Sequence, residues 1–380
     1  MTTTYSIPFN QPSIEGKELI YVARAVERGQ ISCKGPFSEQ VSSLLTDALH
    51  VNDVLLTTSC TAALEMAAMM LEFEPDDVVI IPSFTFVSTA LAFARAGARI
   101  RFADIERETL GIDPKSVAEL LTPEVKAVVP VHYAGIGCDM DGLERELAPT
   151  PVSIVEDNAH GLFGAIDGRP LGSFGRFSCL SFHETKNFVC GEGGALALSD
   201  PADVERAHVL YDKGTNRRAY FAGQVDKYSW VDTGSSFGMS DLLAGYLLAQ
   251  LEARDSILDK RRRLTERYTE LLGEEGPRLG FDIMRQPSNR TSAYHMFYVL
   301  LDTRERRDAV LAQMNAEGIR ATFHYVPLHS SLGAKGFLDY ETECPVADEI
   351  SGRLLRLPFF NDLRLDQVGV IVDSFLRAVS

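Results

Sequence analysis

Apolar residues along this chain follow two rhythms. Short runs such as VLLTTS (54–59), VVIIP (78–82), AVVPV (127–131) and SIVE (153–156) are apolar or small at nearly every position. That is the expectation for strands buried on both faces of a sheet. Between the runs lie TAALEMAAMMLEF, STALAFARAGA, DPKSVAELL and MDGLEREL, whose apolar residues recur three and four apart, the spacing of a helix with one buried face. Strand and helix alternating in this way predict a mostly parallel α/β sheet covered on both sides. Upstream, 13–28 and FSEQVSSLLTDALH read as two helices, and the helix after TTSC is expected to begin at Thr61 or Ala62. In such sheets ligands sit beyond the carboxyl ends of the strands, so functional residues should follow each strand directly.

Past GALALSD the pattern predicts a helix over 201–211, a glycine-containing basic stretch, and a long, bent helical segment over 239–272. A compact α+β pattern follows: strand AYHMFYVLL (293–301), helix RERRDAVLAQMNAEG (304–318), strand RATFHYV (320–326) and a last helix, DQVGVIVDSFLRAVS. With 380 residues, more than one core is expected. We divide the chain into a large α/β domain, 1–250, and a small C-terminal α+β domain, 251–380.

Composition narrows the classes. A net charge of -16 argues against holding nucleic acid by phosphate neutralisation. The six cysteines form no CxxC pair, a pattern suited to reduced thiols in the cytoplasm. No basic-then-apolar leader is visible, and no apolar run approaches the roughly 18 residues of a membrane helix. A nicotinamide-binding reading lacks a G-x-G-x-x-G after the first strand.

The strand ends carry the chemistry. TTSC precedes a helix, so free amides, hydroxyls and the positive end of the dipole offer a phosphate seat, or simply an N-cap. Phe84 and Phe86 stand two apart, as core residues or as the wall of a flat ligand. SIVEDNAHG brings Asp157 to the end of an apolar strand, where a buried carboxylate needs a cation or caps a helix. In SFHETKNFVCGEGG, Lys186 leaves another apolar strand and meets a glycine cluster; it either snorkels to water or acts as an amine. Together, a phosphate cradle, an aromatic wall, a carboxylate and a lysine are the parts that hold pyridoxal 5'-phosphate. The lysine bonds the aldehyde, the acid keeps the ring nitrogen protonated, and burial lowers the lysine pKa.

The order TTSCTAALEM, PSFTFVSTA, PVHYAG, VEDNAHG, SFHETKN…GEGG and FHYVPLH resembles the DegT/DnrJ/EryC1/StrS family of fold-type I, aspartate-aminotransferase-like sugar aminotransferases over essentially the whole chain. Stretches including SCTAALEMAA, KGTNR, GQVDKYSW, GSSFGMSDL and LLRLPFF look like its dTDP-4-amino-4,6-dideoxygalactose transaminases. The resemblance makes Lys186 the lysine that bonds the cofactor and Asp157 the partner of its ring nitrogen. It puts Phe86 over the ring and Cys60, Thr61 and Ser181 on the phosphate. His160 stands where the family commonly has glutamine near the phenolic oxygen, Cys60 where it has glycine, and Ser236 where many relatives have an asparagine reaching the neighbouring subunit's phosphate. Lys213, Asn216 and Lys227, in the basic stretch, together with Tyr325 and His329, are implied contacts of a nucleotide sugar. The implied reaction moves an amino group from L-glutamate to C4 of dTDP-4-keto-6-deoxyglucose, in a homodimer with shared sites. Alternatives are another nucleotide-linked keto sugar or a binder without turnover.

Overall fold

The computed structural model describes residues 6–380. Strands β1 (Asp53–Thr57), β2 (Val78–Pro82), β3 (Arg99–Ala103), β4 (Val125–Val128) and β5 (Ser153–Asp157) are followed by a two-residue hairpin, β6 (Ala165–Ile166) and β7 (Arg169–Pro170). Next come β8 (Phe177–Ser181) and β9 (Gly194–Leu198). Seven of these strands form one sheet in the order β1-β9-β8-β5-β4-β2-β3. Neighbours from β3 across to β8 are parallel, and β9 runs antiparallel to both β8 and β1. Strand β2 is buried at every position, as its unbroken apolar run requires.

The C-terminal part holds β10 (Phe281–Ile283), β12 (Tyr298–Leu301) and β13 (Leu354–Arg356) in a second, antiparallel sheet. The short β11 (Arg290–Thr291) pairs with β6 instead. Its core gathers Phe297, Val299, Leu355, Leu357 and Phe375. The long segment bends at Ala253, between helices Asp241–Glu252 and Arg254–Leu272. Ile257 still packs with Phe37 and Leu251, whereas Leu264, Tyr268 and Leu272 pack in the C-terminal core, so one helix passes from core to core.

Four expected elements differ, the first being the strand expected over 293–301, which forms only at Tyr298–Leu301. The first helix spans only Glu18–Glu27, because the Glu18 carboxylate accepts the N–H groups of Glu15 and Gly16 (2.7 and 2.8 Å) and fixes a turn there. The helix after TTSC starts at Cys60, with the Ser59 hydroxyl accepting the Ala62 N–H at 3.1 Å. RATFHYV contributes a single bridge, Thr322 to Arg356, in place of a strand. Its pairing stops as His324 and Tyr325 stack on each other, ring centroids 3.8 Å apart, at the rim of a cavity.

Successive strand residues face opposite ways, so β5 sends Glu156 and Asp157 to different places. Glu156 is fully buried and accepts His132 Nε2 at 2.9 Å and the N–H groups of Gly172, Phe174 and Gly175 at 2.7–2.8 Å. It locks the turn leading into β8. Burial opposes a charge on His132, but Cys138 and Glu156 outweigh it and push its pKa up to about 10. The folded value exceeds the ordinary 6.5, so this contribution to stability is complete below about pH 6.5 and lost as pH rises through about 10. Glu156→Ala should cost about 3–5 kcal/mol, because it strands a buried charge and three amides. Urea unfolding curves at pH 6 and pH 10 check both points: the variant's deficit should shrink at pH 10.

Candidate active site

Between Phe182 and Gly193 the chain leaves the sheet in a tied loop. Its neck is closed by Phe182 N–H to Gly193 O (2.8 Å) and Cys190 N–H to Phe182 O (2.9 Å). Phe188 and Val189 anchor it by burial. Lys186 sits on this loop, partly buried, and lines a cavity of about 590 Å³ beyond the strand ends. Asp157, at the tip of β5, lines the same cavity, as do Cys60, Thr61, Phe86, His160, Ser181 and Tyr325.

Gly194 shows why the loop ends in glycines. A Cβ there would lie 2.4 Å from Cys60 N and from the Ser59 carbonyl carbon. Strand β9 therefore packs directly under the start of the helix Cys60–Leu71. The amides of Cys60 and Thr61, first in that helix, have no carbonyl partner within it and stand at the cavity wall. This is a ready phosphate seat.

Asp157 Oδ2 accepts the Thr89 hydroxyl at 2.7 Å, and Oδ1 accepts the Ala159 N–H at 3.2 Å. Burial pushes its carboxyl up from the usual range, against those bonds and the positive charge of Lys186. Lys186 responds the opposite way: burial lowers it to about 8, with Arg356 adding to the effect and Asp157 opposing it. Among the described residues the Lys186 side chain has neither a hydrogen bond nor an ion pair, so lysine and acid share the cavity without closing on each other. His160 stacks on His295, centroids 4.1 Å apart, and burial holds both imidazoles neutral. His160 Nδ1 is buried with no partner. These features fit pyridoxal 5'-phosphate: an unpaired amine, an acid without a cation, an orphaned imidazole nitrogen and free helix amides around one space.

Phe84 is core, packed against Tyr133 and Tyr325, whereas Phe86 is 58% exposed at the cavity. Five expected contacts lie elsewhere. His329 bonds Ser83 Oγ at 2.6 Å through Nδ1, away from the cavity wall. Asn216 ties its own loop, donating to Lys227 O and accepting from Ser229 N–H. Lys213, Lys227 and Ser236 are exposed on the segment that includes Trp230, itself 81% exposed. Residues that the sequence reading passed over are Thr89, His295, His324 and Arg356. An arginine inside LLRLPFF and a histidine inside AYHMFYV break apolar runs, and that was the available signal. Thr89 had none.

A cavity at the mouth of an α/β sheet, walled by a lysine of lowered pKa and a buried acid, defines a pyridoxal-phosphate enzyme. The chain belongs to the DegT/DnrJ/EryC1/StrS aminotransferase family, which it matches over residues 12–376, and is a pyridoxal-phosphate-dependent sugar aminotransferase. It is 30% identical over 376 residues to the spore coat polysaccharide biosynthesis protein SpsC of Bacillus subtilis, covering 97% of this chain and 96% of that one. It is similar to the putative sugar aminotransferase Spr1654 of Streptococcus pneumoniae in its PMP form (TM-score 0.91, 26% identity, 98% and 99% of the two chains). It is also similar to the aminotransferase TlmJ of Streptoalloteichus hindustanus (TM-score 0.90, 29% identity, 98% of each chain). Among the described residues no helix is long and apolar enough to cross a membrane.

Because the Lys186 amine loses its proton near pH 8, cofactor-free protein should take up pyridoxal 5'-phosphate faster as pH rises through about 8. Stopped-flow absorbance against pH reads this. A midpoint at the ordinary lysine value of 10.5 would contradict the site's electrostatics.

Proposed function

We propose that this enzyme transfers the amino group of L-glutamate to C4 of dTDP-4-keto-6-deoxyglucose, giving dTDP-4-amino-4,6-dideoxygalactose. The observation that carries the transaminase reading is that Lys186 and Asp157 line one cavity without neutralising each other. The sugar assignment is supported by the stretches SCTAALEMAA, GQVDKYSW and LLRLPFF.

Lys186 would hold the cofactor's aldehyde carbon, and the Asp157 carboxylate its ring nitrogen. The amides of Cys60 and Thr61 and the Ser181 hydroxyl would hold its phosphate, with Phe86 against the ring and His160 toward its phenolic oxygen. When bound, the cofactor supplies an electron-withdrawing ring that makes the substrate carbon acidic. The Thr89 hydroxyl and the Ala159 N–H work against the burial that raises the Asp157 carboxyl, and the positive ring nitrogen would add to them, so that acid and protonated nitrogen favour each other. Lys186 Nζ, with a pKa of about 8, accepts a proton from the donor's α-carbon and delivers one to the sugar's C4 near neutral pH. Neutral His160 offers a hydrogen bond without adding a second charge beside Lys186. Walls that include Leu64, Val131 and Phe86 limit water around these transfers.

The exposed segment with Lys213, Asn216, Lys227 and Ser236 carries Phe221 and Trp230 in the open, which suits an interface. We read it as reaching a second copy's cavity in a cytoplasmic homodimer, where its cations would meet the nucleotide's diphosphate. Another nucleotide-linked keto sugar is the competing substrate, given the kinship with a spore coat polysaccharide protein.

Incubation with L-glutamate and a panel of dTDP-, UDP- and GDP-linked keto sugars, with NMR of the products, tests this. The expected product is the axial 4-amine on the dTDP sugar. An equatorial amine, a 3-amine or preference for another nucleotide would overturn the assignment. Lys186→Ala should abolish turnover and the visible absorbance of lysine-bound cofactor, and retention of both would end the reading.

A further inference from the structure

The segment 293–295 enters the active site from the C-terminal part and is fastened on two sides. The N–H groups of Ala293 and His295 bond Gly135 O and Ala134 O at 2.8 and 3.2 Å. On the other side Arg261 donates to Tyr294 O and His295 O at 2.7 and 2.6 Å. Tyr294 adopts a left-handed φ of 52°, rare for a bulky residue, and two successive carbonyls here face one guanidinium. His295 is thereby set at the cavity wall, 5% exposed. Its ring lies flat on that of His160, with planes 17° from parallel.

The residue next to Lys186 completes the contact. Asn187, buried as well, donates Nδ2 to Ala293 O at 2.6 Å, so Oδ1 is the atom that meets His295 Nδ1 at 2.9 Å. An amide oxygen only accepts, so His295 donates from Nδ1, and in the neutral ring Nε2 keeps a lone pair. Burial, with Lys186 and Arg356 nearby, keeps both imidazoles neutral, so charge does not hold the pair together. Among the described residues no hydrogen bond holds the His160 ring. Ring contacts do, flat against His295 and edge-on to Tyr133 at 6.0 Å.

We propose that His295 is a positioning residue for the cofactor: through Asn187 it fixes the loop that carries Lys186, and through the stack it fixes His160. The assignment rests on the placements of Lys186 and His160 given above. In pyridoxal 5'-phosphate the aldehyde and the phenolic oxygen stand on neighbouring ring carbons, so the lysine and the imidazole that serve them must keep one register. One side chain that touches both supports sets that register, and Arg261 braces it. A hydrogen bond donated to the phenolic oxygen draws its charge away from the adjoining lysine nitrogen, which then holds a proton less tightly.

Two substitutions separate the two contacts. His295→Asn keeps a donor where Nδ1 stands and loses the ring, whereas His295→Phe keeps the ring and loses the donor. The first reading is the pKa of the visible absorbance of lysine-bound cofactor, titrated in the holoenzyme without substrate. His295→Asn should raise it by about one unit, the worth of one hydrogen bond, and His295→Phe should leave it near the wild-type value. The second reading is the rate at which L-glutamate converts the cofactor, which depends on proton transfer by Lys186. His295→Phe should slow it about tenfold, with the half-saturating L-glutamate concentration unchanged. Adding Asn187→Leu to His295→Phe should slow it no further, because the two act through one bond. A merely structural role would not split the two readings. Equal effects of both substitutions on both readings, an unchanged absorbance pKa in His295→Asn, or additive losses in the double variant would each overturn the assignment. Nitrogen-15 NMR of the cofactor-free wild-type protein decides even where a variant does not fold. His295 should show a protonated Nδ1 and a bare Nε2, and the opposite tautomer would overturn the proposal. Retention of the visible absorbance by Lys186→Ala is a separate result: the placement of the cofactor fails first, and the role of His295 falls with it.

Discussion

Two charges of opposite sign that share a buried cavity without meeting are the constraint on which this structure depends. Ordinarily a lysine and an aspartate in a low-dielectric pocket would close into an ion pair. Here Asp157 is restrained by the Thr89 hydroxyl and the Ala159 N–H, and Lys186 is carried on a separate loop tied at its neck. Each therefore remains available to a ligand placed between them. Strand alternation makes this possible: Glu156, one residue back, is spent on His132 and three amides on the far side of β5, which fixes the strand end that presents Asp157.

The other half of the site is made by close backbone approach. Gly194 lets β9 pass beneath Ser59 and Cys60 where any side chain would collide. The helix start is thereby held at the cavity wall with its first amides open. The glycines after Lys186 thus serve packing between strand and helix. Their contribution to ligand binding is indirect, through the position of Cys60 and Thr61.

Much of the large sheet was legible because its strands are buried on both faces and its helices are amphipathic, so apolar runs and helical spacing alternate cleanly. Lys186, Asp157 and Phe86 were legible for a related reason: each ends an apolar strand or follows one within a few residues. Arg356 and His295 interrupt apolar runs in the C-terminal part, but there the strands are short and no ligand pattern had been set for them. Thr89 lies inside a helix, and only the fold brings its hydroxyl to Asp157. Asn216 and His329 illustrate the converse. Their side chains are occupied by Ser229, Lys227 and Ser83, partners far enough along the chain that spacing could not reveal them. RATFHYV reads as a strand by composition, yet stacking of His324 on Tyr325 turns it into cavity wall.

The central claim is that one amine, at position 186, bonds the cofactor opposite the acid at 157. Borohydride reduction of the holoenzyme followed by peptide mass spectrometry tests it most directly, because reduction makes the bond permanent. The account predicts a single phosphopyridoxyl group on the peptide containing Lys186. The same mass on another lysine, or on none, would contradict it.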